Sequence, residues 1–216
     1  MTKYATVNSA LELADGSSWN ISAEDKISST IAAILSNTMQ LKPSGQIGQR
    51  RIIVKNGCPP EKKSPFFSVS PGLHPARNNQ PVVCRIRKPE NNDELAIQLM
   101  KMSLIFCSHI ESQGGLLIHG ALAEKHGIGV ILAGPGDVGK TTASGRLPAP
   151  WISLSDDCTL IVRDGKGGYR THPWPTWSTF MYGGPGGSWD VQYSVPLKAI
   201  FVLKQNLTRL INSPFG

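Results

Sequence analysis

The clearest chemical signal in the sequence is the segment GPGDVGKTT at residues 134–142. It fits the pattern G-x-x-x-x-G-K-[ST], whose glycines let successive backbone N–H groups turn toward a phosphate. In such a loop Lys140 reaches the β- and γ-phosphates of a nucleotide, and the hydroxyl of Thr141 ligates Mg²⁺. We therefore predict a phosphate-binding loop with these members: Gly134, Pro135, Gly136, Asp137, Val138, Gly139, Lys140, Thr141 and Thr142.

Two adjacent carboxylates, Asp156 and Asp157, follow this loop at the end of an apolar segment. An enzyme that transfers phosphate from a nucleotide needs an acid near the metal and the γ-phosphate. Because neighbouring side chains of an extended chain point in opposite directions, we expect the two acids to differ in function. One would face the metal and the other the incoming nucleophile. The alternative is an exposed Asp-Asp turn, which the position of the pair relative to the loop disfavours.

One histidine, His119, ends the apolar segment that precedes the loop strand. A single histidine is more often a structural or surface residue than a catalytic one, so this position alone assigns no role. The remaining histidines have no spacing typical of ligands or catalytic groups: His74, His109, His126 and His172.

The elements that must position these residues follow from the apolar patterns. In the second half we predict a helix over 141–147 and strands at 116–120, 129–133, 151–154, 159–162 and 199–203. In the first half we predict strands within 10–21, at 51–54 and at 82–86, a helix capped by Ser22, a helix over 92–112, and a loop over 56–81. In the second half, residues 171–189 are expected to form another loop. The order predicts an α/β fold of the α+β mixed-sheet kind. A small N-terminal α+β module with a long proline-rich loop (1–113) would precede a nucleotide-binding domain (114–216).

The composition is that of a globular protein, with 40% hydrophobic and 17% charged residues. The net charge of +7 raises the alternative of a nucleic-acid partner, which the lack of interleaved basic and aromatic residues disfavours. The four cysteines have no metal or redox spacing and are expected to be reduced. With neither an apolar span nor a signal peptide, we expect a soluble cytoplasmic protein without a membrane partner.

These motifs together carry a resemblance to known proteins. HG at 119–120, GPGDVGKTT at 134–142 and LSDD at 154–157 resemble the catalytic domain of HPr kinase/phosphorylase and its relatives, over roughly residues 114–204. More narrowly, six segments are similar to the HPr-kinase-related SynChlorMet cassette proteins ScmC, which are associated with bacterial peptide modification. They are LADGSSW (13–19), GGLLIHGALAE (114–124), LAGPGDVGKTTASGRLPAPW (132–151), LSDDCTLIVRDG (154–165), HPWPTW (172–177) and VPLKAIFVLKQ (195–205).

The resemblance implies the P-loop fold that HPr kinase shares with phosphoenolpyruvate carboxykinase. It implies that Asp157 is the base for a serine hydroxyl, that His119 and Lys140 handle the transferring phosphate, and that Thr141 and Asp156 hold the metal. No segment corresponds clearly to the family's second metal acid. The C-terminal end is interpreted as shortened relative to the family.

The function that this resemblance implies is an ATP- and Mg²⁺-dependent kinase. The acceptor would be a Ser/Thr hydroxyl of a peptide or protein partner in the cassette. The alternative is an ATP-binding scaffold of a maturation complex without phosphate transfer.

A homo-oligomer is expected, because few residues follow the strand at 199–203 to cover its apolar face. The segment at 172–177 is interpreted either as a platform for a substrate peptide or as a cover of the core.

Overall fold

The computed structural model describes residues 8–44, 48–57, 67–70, 80–181 and 187–204. Over these residues the chain is a mixed α/β protein with two six-stranded sheets. The strands are β1 (Asn8–Glu12), β2 (Ser18–Ala23), β3 (Lys42–Pro43), β4 (Arg50–Asn56), β5 (Phe67–Ser70), β6 (Val82–Ile86), β7 (Leu116–Lys125), β8 (Ile128–Ala133), β9 (Ile152–Ser155), β10 (Cys158–Arg163), β11 (Tyr169–Trp174) and β12 (Val195–Val202). The helices are α1 (Lys26–Thr38), α2 (Asn92–Ser112), α3 (Lys140–Gly145) and α4 (Ser178–Met181). No helix in these ranges has the length and apolarity needed to cross a membrane.

The first sheet has the strand order β3-β1-β2-β4-β6-β5. Strands β1 and β2 form the predicted hairpin, whose turn is held by Asp15: its carboxylate accepts the N–H of Ser17 at 2.9 Å. Gly16 has a φ of 85° in this turn, a conformation that glycine adopts without strain. Along β2, Trp19, Ile21 and Ala23 are buried and alternate with partly exposed residues. The sheet therefore has one apolar face, which the helices cover.

Helix α1 begins one turn later than the sequence predicts. The expected N-cap, Ser22, still pairs with Asn8 of β1, so it cannot cap a helix. Asp25 is the N-cap, and its carboxylate accepts the N–H groups of Ile27 and Ser28. The prediction of a cap at Ser22 was wrong because strand β2 continues as far as Ala23 and includes that serine.

Helix α2 spans the predicted residues and joins the two sheets through one core. Phe106 of α2 contacts Trp19 of the first sheet edge-on, with ring centroids 5.3 Å apart. The same ring contacts Trp174 of β11, with centroids 6.4 Å apart. The boundary predicted after residue 113 therefore falls between elements whose side chains pack into the same core.

The second sheet has the order β10-β11-β12-β8-β7-β9, and an additional pairing of β10 with β7 closes five of these strands into a ring. Strands β8 and β12 are parallel, whereas the other pairs are antiparallel. The last residue of β8 and the first residue of β10 lie opposite neighbouring positions in the middle of β7, Gly120 and His119, and the candidate site forms there.

Two of the predicted loops contain regular structure. The segment 56–81 includes β5, and the rest of it, apart from residues 56, 57, 80 and 81, lies outside the described residues. The segment 171–189 includes most of β11 and all of α4. The proline and tryptophan content of β11 concealed the strand. Among the described residues, β12 pairs with β11 only at Arg170 and Thr171, so that edge of β11 has no described strand partner at Pro173, and an edge strand tolerates proline.

A buried histidine of β11 predicts a pH-dependent stability. His172 is fully buried, its Nδ1 donates to the carbonyl of Val191 at 2.8 Å, and its Nε2 accepts the N–H of Ala14 at 3.3 Å. Burial lowers the pKa of His172 to about 4, from 6.5. The unfolded chain therefore binds a proton near pH 6.5 that the folded chain excludes down to about pH 4, so stability falls as the pH is lowered through this window.

We expect His172 to account for about 3 kcal/mol of this loss. The measurement is urea unfolding at several pH values, for the wild-type chain and for His172→Gln, which keeps a donor and an acceptor. The exposed His126 gives the matched control His126→Gln. Equal pH slopes in the wild type and in His172→Gln would contradict the assignment of a neutral buried imidazole.

Candidate functional site

The predicted phosphate-binding segment connects the buried strand β8 to the short helix α3. Asp137 and Gly139 have φ angles of 59° and 94°, so the backbone curls through left-handed conformations. Successive N–H groups in such a curl face one concave side, which is the geometry of an anion-binding loop. A Cβ added at Gly136 would meet no atom within 4 Å, because that residue borders open space. Helix α3 begins at Lys140, one residue earlier than predicted, and ends at Gly145, two residues earlier than predicted.

The side chain of Lys140 lies inside this loop, with only 6% of the residue exposed. Its Nζ donates to the carbonyls of Gly134 at 3.1 Å and Pro135 at 2.9 Å. A buried ammonium group requires such acceptors, because removing a charge from water without a partner is costly. The loop therefore holds a cation at its centre, where it can attract an anionic ligand.

The first acid of the pair lies beside the start of α3. The carbonyl oxygen of Asp156 accepts the hydroxyl of Thr141 at 3.5 Å, and its carboxylate accepts the hydroxyl of Thr176 at 3.2 Å. A hydroxyl and a carboxylate are hard oxygen donors, the kind that Mg²⁺ prefers. The residues predicted to hold Mg²⁺, Thr141 and Asp156, are thus neighbours of a suitable chemical type.

The second acid forms a pair with the predicted histidine. Nδ1 of His119 lies 3.2 Å from Oδ1 of Asp157. Both side chains are accessible, since His119 is 51% and Asp157 32% exposed. An imidazole at this distance can orient the carboxylate and exchange a proton with it.

The strand register explains why these residues meet. Strands β9 and β10 pair with the same edge of β7, Ser155 opposite Leu122 and Cys158 opposite His119. Asp156 and Asp157 lie in the interruption between them. The prediction that His119 ends its strand was wrong: β7 continues to Lys125, and what ends at His119 is its pairing with β10.

Gly120 lets strands β7 and β8 pack closely together next to the site. A Cβ at Gly120 would lie 2.7 Å from Cγ2 of Ile131, closer than real side chains allow. The carbonyl of Gly120 also accepts the hydroxyl of Thr159 at 2.8 Å. The absence of a side chain therefore lets β7 approach β8 directly beneath the site.

A cleft of about 470 Å³ joins the loop to the histidine–aspartate pair. Its lining includes most of the predicted site residues: His119, Gly136, Asp137, Gly139, Lys140, Thr141, Thr142 and Asp157. Three further loop residues, Gly134, Pro135 and Val138, do not line it, and neither does Asp156. The structure thus places the predicted base and the predicted phosphate-handling residues on one cavity wall.

Cys158 is a neighbour of the site that the sequence did not indicate. Its Sγ, a ring nitrogen of His119 and a carboxylate oxygen of Asp157 lie within 4.8 Å of one another. Burial, and then the nearby carboxylates of Asp157 and Asp156, raise the pKa of Cys158 to about 11, so the thiol carries its proton near neutral pH. Its proximity arises from the pairing across β7 and β10, which spacing along the chain does not reveal.

The aromatic segment at 172–177 borders the acid pair from the other side. Trp174 and Trp177 are buried, and Nε1 of Trp177 donates to Oγ of Ser103 in α2 at 3.0 Å. Both rings belong to the main core, as one of the two interpretations expected. Both rings also line a pocket next to Asp157.

Comparison with curated proteins gives no significant match. The model of one protein family, described as SynChlorMet cassette protein ScmC, matches residues 82–213. The match covers more than half of the chain and includes every predicted catalytic, nucleotide-binding and metal-binding residue. The chain therefore belongs to the SynChlorMet cassette protein family ScmC.

Proposed function

We propose that the protein is an ATP- and Mg²⁺-dependent kinase of the HPr-kinase-like class, acting on a Ser/Thr hydroxyl of a peptide or protein in the SynChlorMet cassette. The observation that carries the proposal is the cleft that combines Lys140 and Thr141 of the loop with the His119–Asp157 pair. A cation, a metal-ligating hydroxyl and a carboxylate at one cavity are the components that phosphate transfer to a hydroxyl requires.

In this proposal the loop binds the triphosphate. Its backbone N–H groups and the ammonium group of Lys140 hold the β- and γ-phosphates, while Thr141 and Asp156 hold the metal. Mg²⁺, when bound, neutralises charge on the phosphate oxygens. Phosphate transfer depends mostly on positioning and charge neutralisation, and the assignment is supported by the shared lining of one cleft by Lys140 and Thr141 and by the contact of Thr141 with Asp156.

Asp157 acts as the base for the acceptor. The acceptor oxygen forms a bond to the γ-phosphorus, and the bond from that phosphorus to the β–γ bridging oxygen breaks. ADP leaves with the electron pair, and the hydroxyl proton moves to the carboxylate of Asp157. His119, whose Nδ1 lies 3.2 Å from Oδ1 of Asp157, orients this carboxylate and so acts on the acceptor through Asp157.

The homo-oligomer expected from the sequence stays a prediction. Strand β12 ends with three exposed apolar side chains, Ile200, Phe201 and Val202, which are 44%, 52% and 69% exposed. An apolar strand end of this kind is consistent with a contact to a partner.

The test is incubation of the protein with Mg²⁺, ATP labelled at the γ-phosphate and the precursor peptides of the cassette. We expect label on a serine or threonine of one peptide. Nucleotide binding without label on any cassette peptide or protein would favour the ATP-binding scaffold instead. Absence of nucleotide binding would contradict both functions.

A further inference from the structure

A second cavity of about 450 Å³ lies beside the phosphate cleft. One wall is formed by α2, with Ala96, Met100 and Leu104. Trp174 and Trp177 also line the cavity. We call this cavity the apolar pocket, because its walls are almost entirely hydrocarbon and aromatic.

The carboxylate-bearing residue Asp157 lines both the apolar pocket and the phosphate cleft. The cleft lies on the side of Asp157 that faces Lys140 and Thr141. In an in-line transfer the attacking and leaving oxygens lie on opposite sides of the phosphorus. An acceptor that gives its proton to Asp157 therefore approaches from the side away from the loop, and the apolar pocket is a cavity at Asp157 that no residue of the loop lines.

Trp174 adds an independent observation. The residue is 1% exposed, yet its Nε1–H has no hydrogen-bond acceptor among the described residues. A buried donor without an acceptor costs about 1–3 kcal/mol. Trp174 lines the apolar pocket, so a peptide bound there brings backbone carbonyls, the class of acceptor that this N–H lacks, next to the residue.

We propose that the apolar pocket binds an aromatic side chain adjacent to the acceptor serine or threonine, so that the substrate is a peptide with an aromatic residue next to its hydroxyl. The inference rests on the proposed function, in which Asp157 receives the hydroxyl proton. Two tryptophan rings favour an aromatic side chain over an aliphatic one, because the interaction between aromatic rings contributes binding energy in addition to that of the buried apolar area. Recognition of that neighbour places the hydroxyl beside Asp157.

Two short peptides test this preference directly. The probes are acetyl-Phe-Ser-Phe-amide and acetyl-Ala-Ser-Ala-amide, titrated calorimetrically into the full chain with Mg²⁺ and a non-hydrolysable ATP analogue. We expect the phenylalanine peptide to bind at least about tenfold more tightly, because one of its two rings, on whichever side of the serine the pocket accepts, buries more apolar surface there than a methyl group does. This measurement does not depend on transfer.

A pocket variant locates the binding site. Met100 is 38% exposed at the pocket mouth, so Met100→Lys should fold and place a charge among the apolar walls. We expect it to lower the affinity for the phenylalanine peptide about tenfold or more, leaving the alanine peptide and the nucleotide unaffected. The matched control is Ile128→Lys, at a residue 45% exposed at the opposite end of β8 from the loop. This control should bind both peptides as the wild type does.

The outcomes separate the pocket from the kinase activity. Equal affinities for the two peptides, or no effect of Met100→Lys, would overturn the pocket proposal even if cassette peptides are phosphorylated. Selective binding of the aromatic peptide without any transfer would support the pocket and count against the kinase. A fall in molar mass by light scattering in Met100→Lys, without peptide discrimination, would identify the pocket as a contact between two copies and overturn the proposal.

Discussion

Replacing Asp157 with asparagine is expected to lower the rate of phosphate transfer by about 10²- to 10⁴-fold, the usual contribution of a positioned base. The amide keeps the shape of the side chain and its contact with His119, but it cannot accept the hydroxyl proton. Nucleotide binding should survive, because the loop and Lys140 hold the phosphates. The measurement is single-turnover transfer from labelled ATP, with calorimetry of Mg·ATP binding on the same variant.

The neighbouring acid provides the control for this prediction. Asp156→Asn changes the same functional group one residue away, where the carboxylate contacts Thr176 and the main chain contacts Thr141. We expect this variant to weaken the Mg²⁺ dependence of nucleotide binding. Wild-type transfer rates in both variants would contradict the assigned roles.

The second large effect is expected at Lys140. In Lys140→Ala the buried ammonium group is lost, and the carbonyls of Gly134 and Pro135 lose the donor from which they accept. The affinity for Mg·ATP should fall at least about tenfold, or roughly 1.4 kcal/mol. Calorimetric titration of the wild type and the variant measures this change.

An exposed lysine outside the cleft tests whether the effect is specific. Lys166 lies in the turn between β10 and β11 and is exposed, so Lys166→Ala removes the same charge without touching the loop. We expect its affinity for Mg·ATP to equal that of the wild type. A common small decrease in both variants would mean that net charge, rather than the loop, determines binding.

The sequence was sufficient to predict those elements whose defining residues all lie within one continuous segment. Helix α2 is defined by Leu99, Met102 and Phe106 on one face, and it spans the predicted residues 92–112. The phosphate-binding segment is equally local, since its residues are consecutive and need only the strand before them and the helix after them.

The features that the sequence did not reveal depend on pairing between distant segments. The predicted end of the strand at His119 was wrong because β7 continues through three different partners. Cys158 joins the site only through its register with His119. The apolar pocket combines α2 with β11 and α4, and no pattern within one segment indicates that these elements meet.

The most direct test of the site is the NMR response of His119 to nucleotide. In histidine-labelled protein, one of the five imidazole signals is assigned to His119 by its loss in His119→Gln. We predict that a Mg²⁺-bound non-hydrolysable ATP analogue shifts this signal, that AMP shifts it less, and that His126, in the turn after β7, does not respond. Saturable nucleotide binding that leaves His119 unchanged would show that the γ-phosphate does not face the His119–Asp157 pair, and would contradict the kinase site.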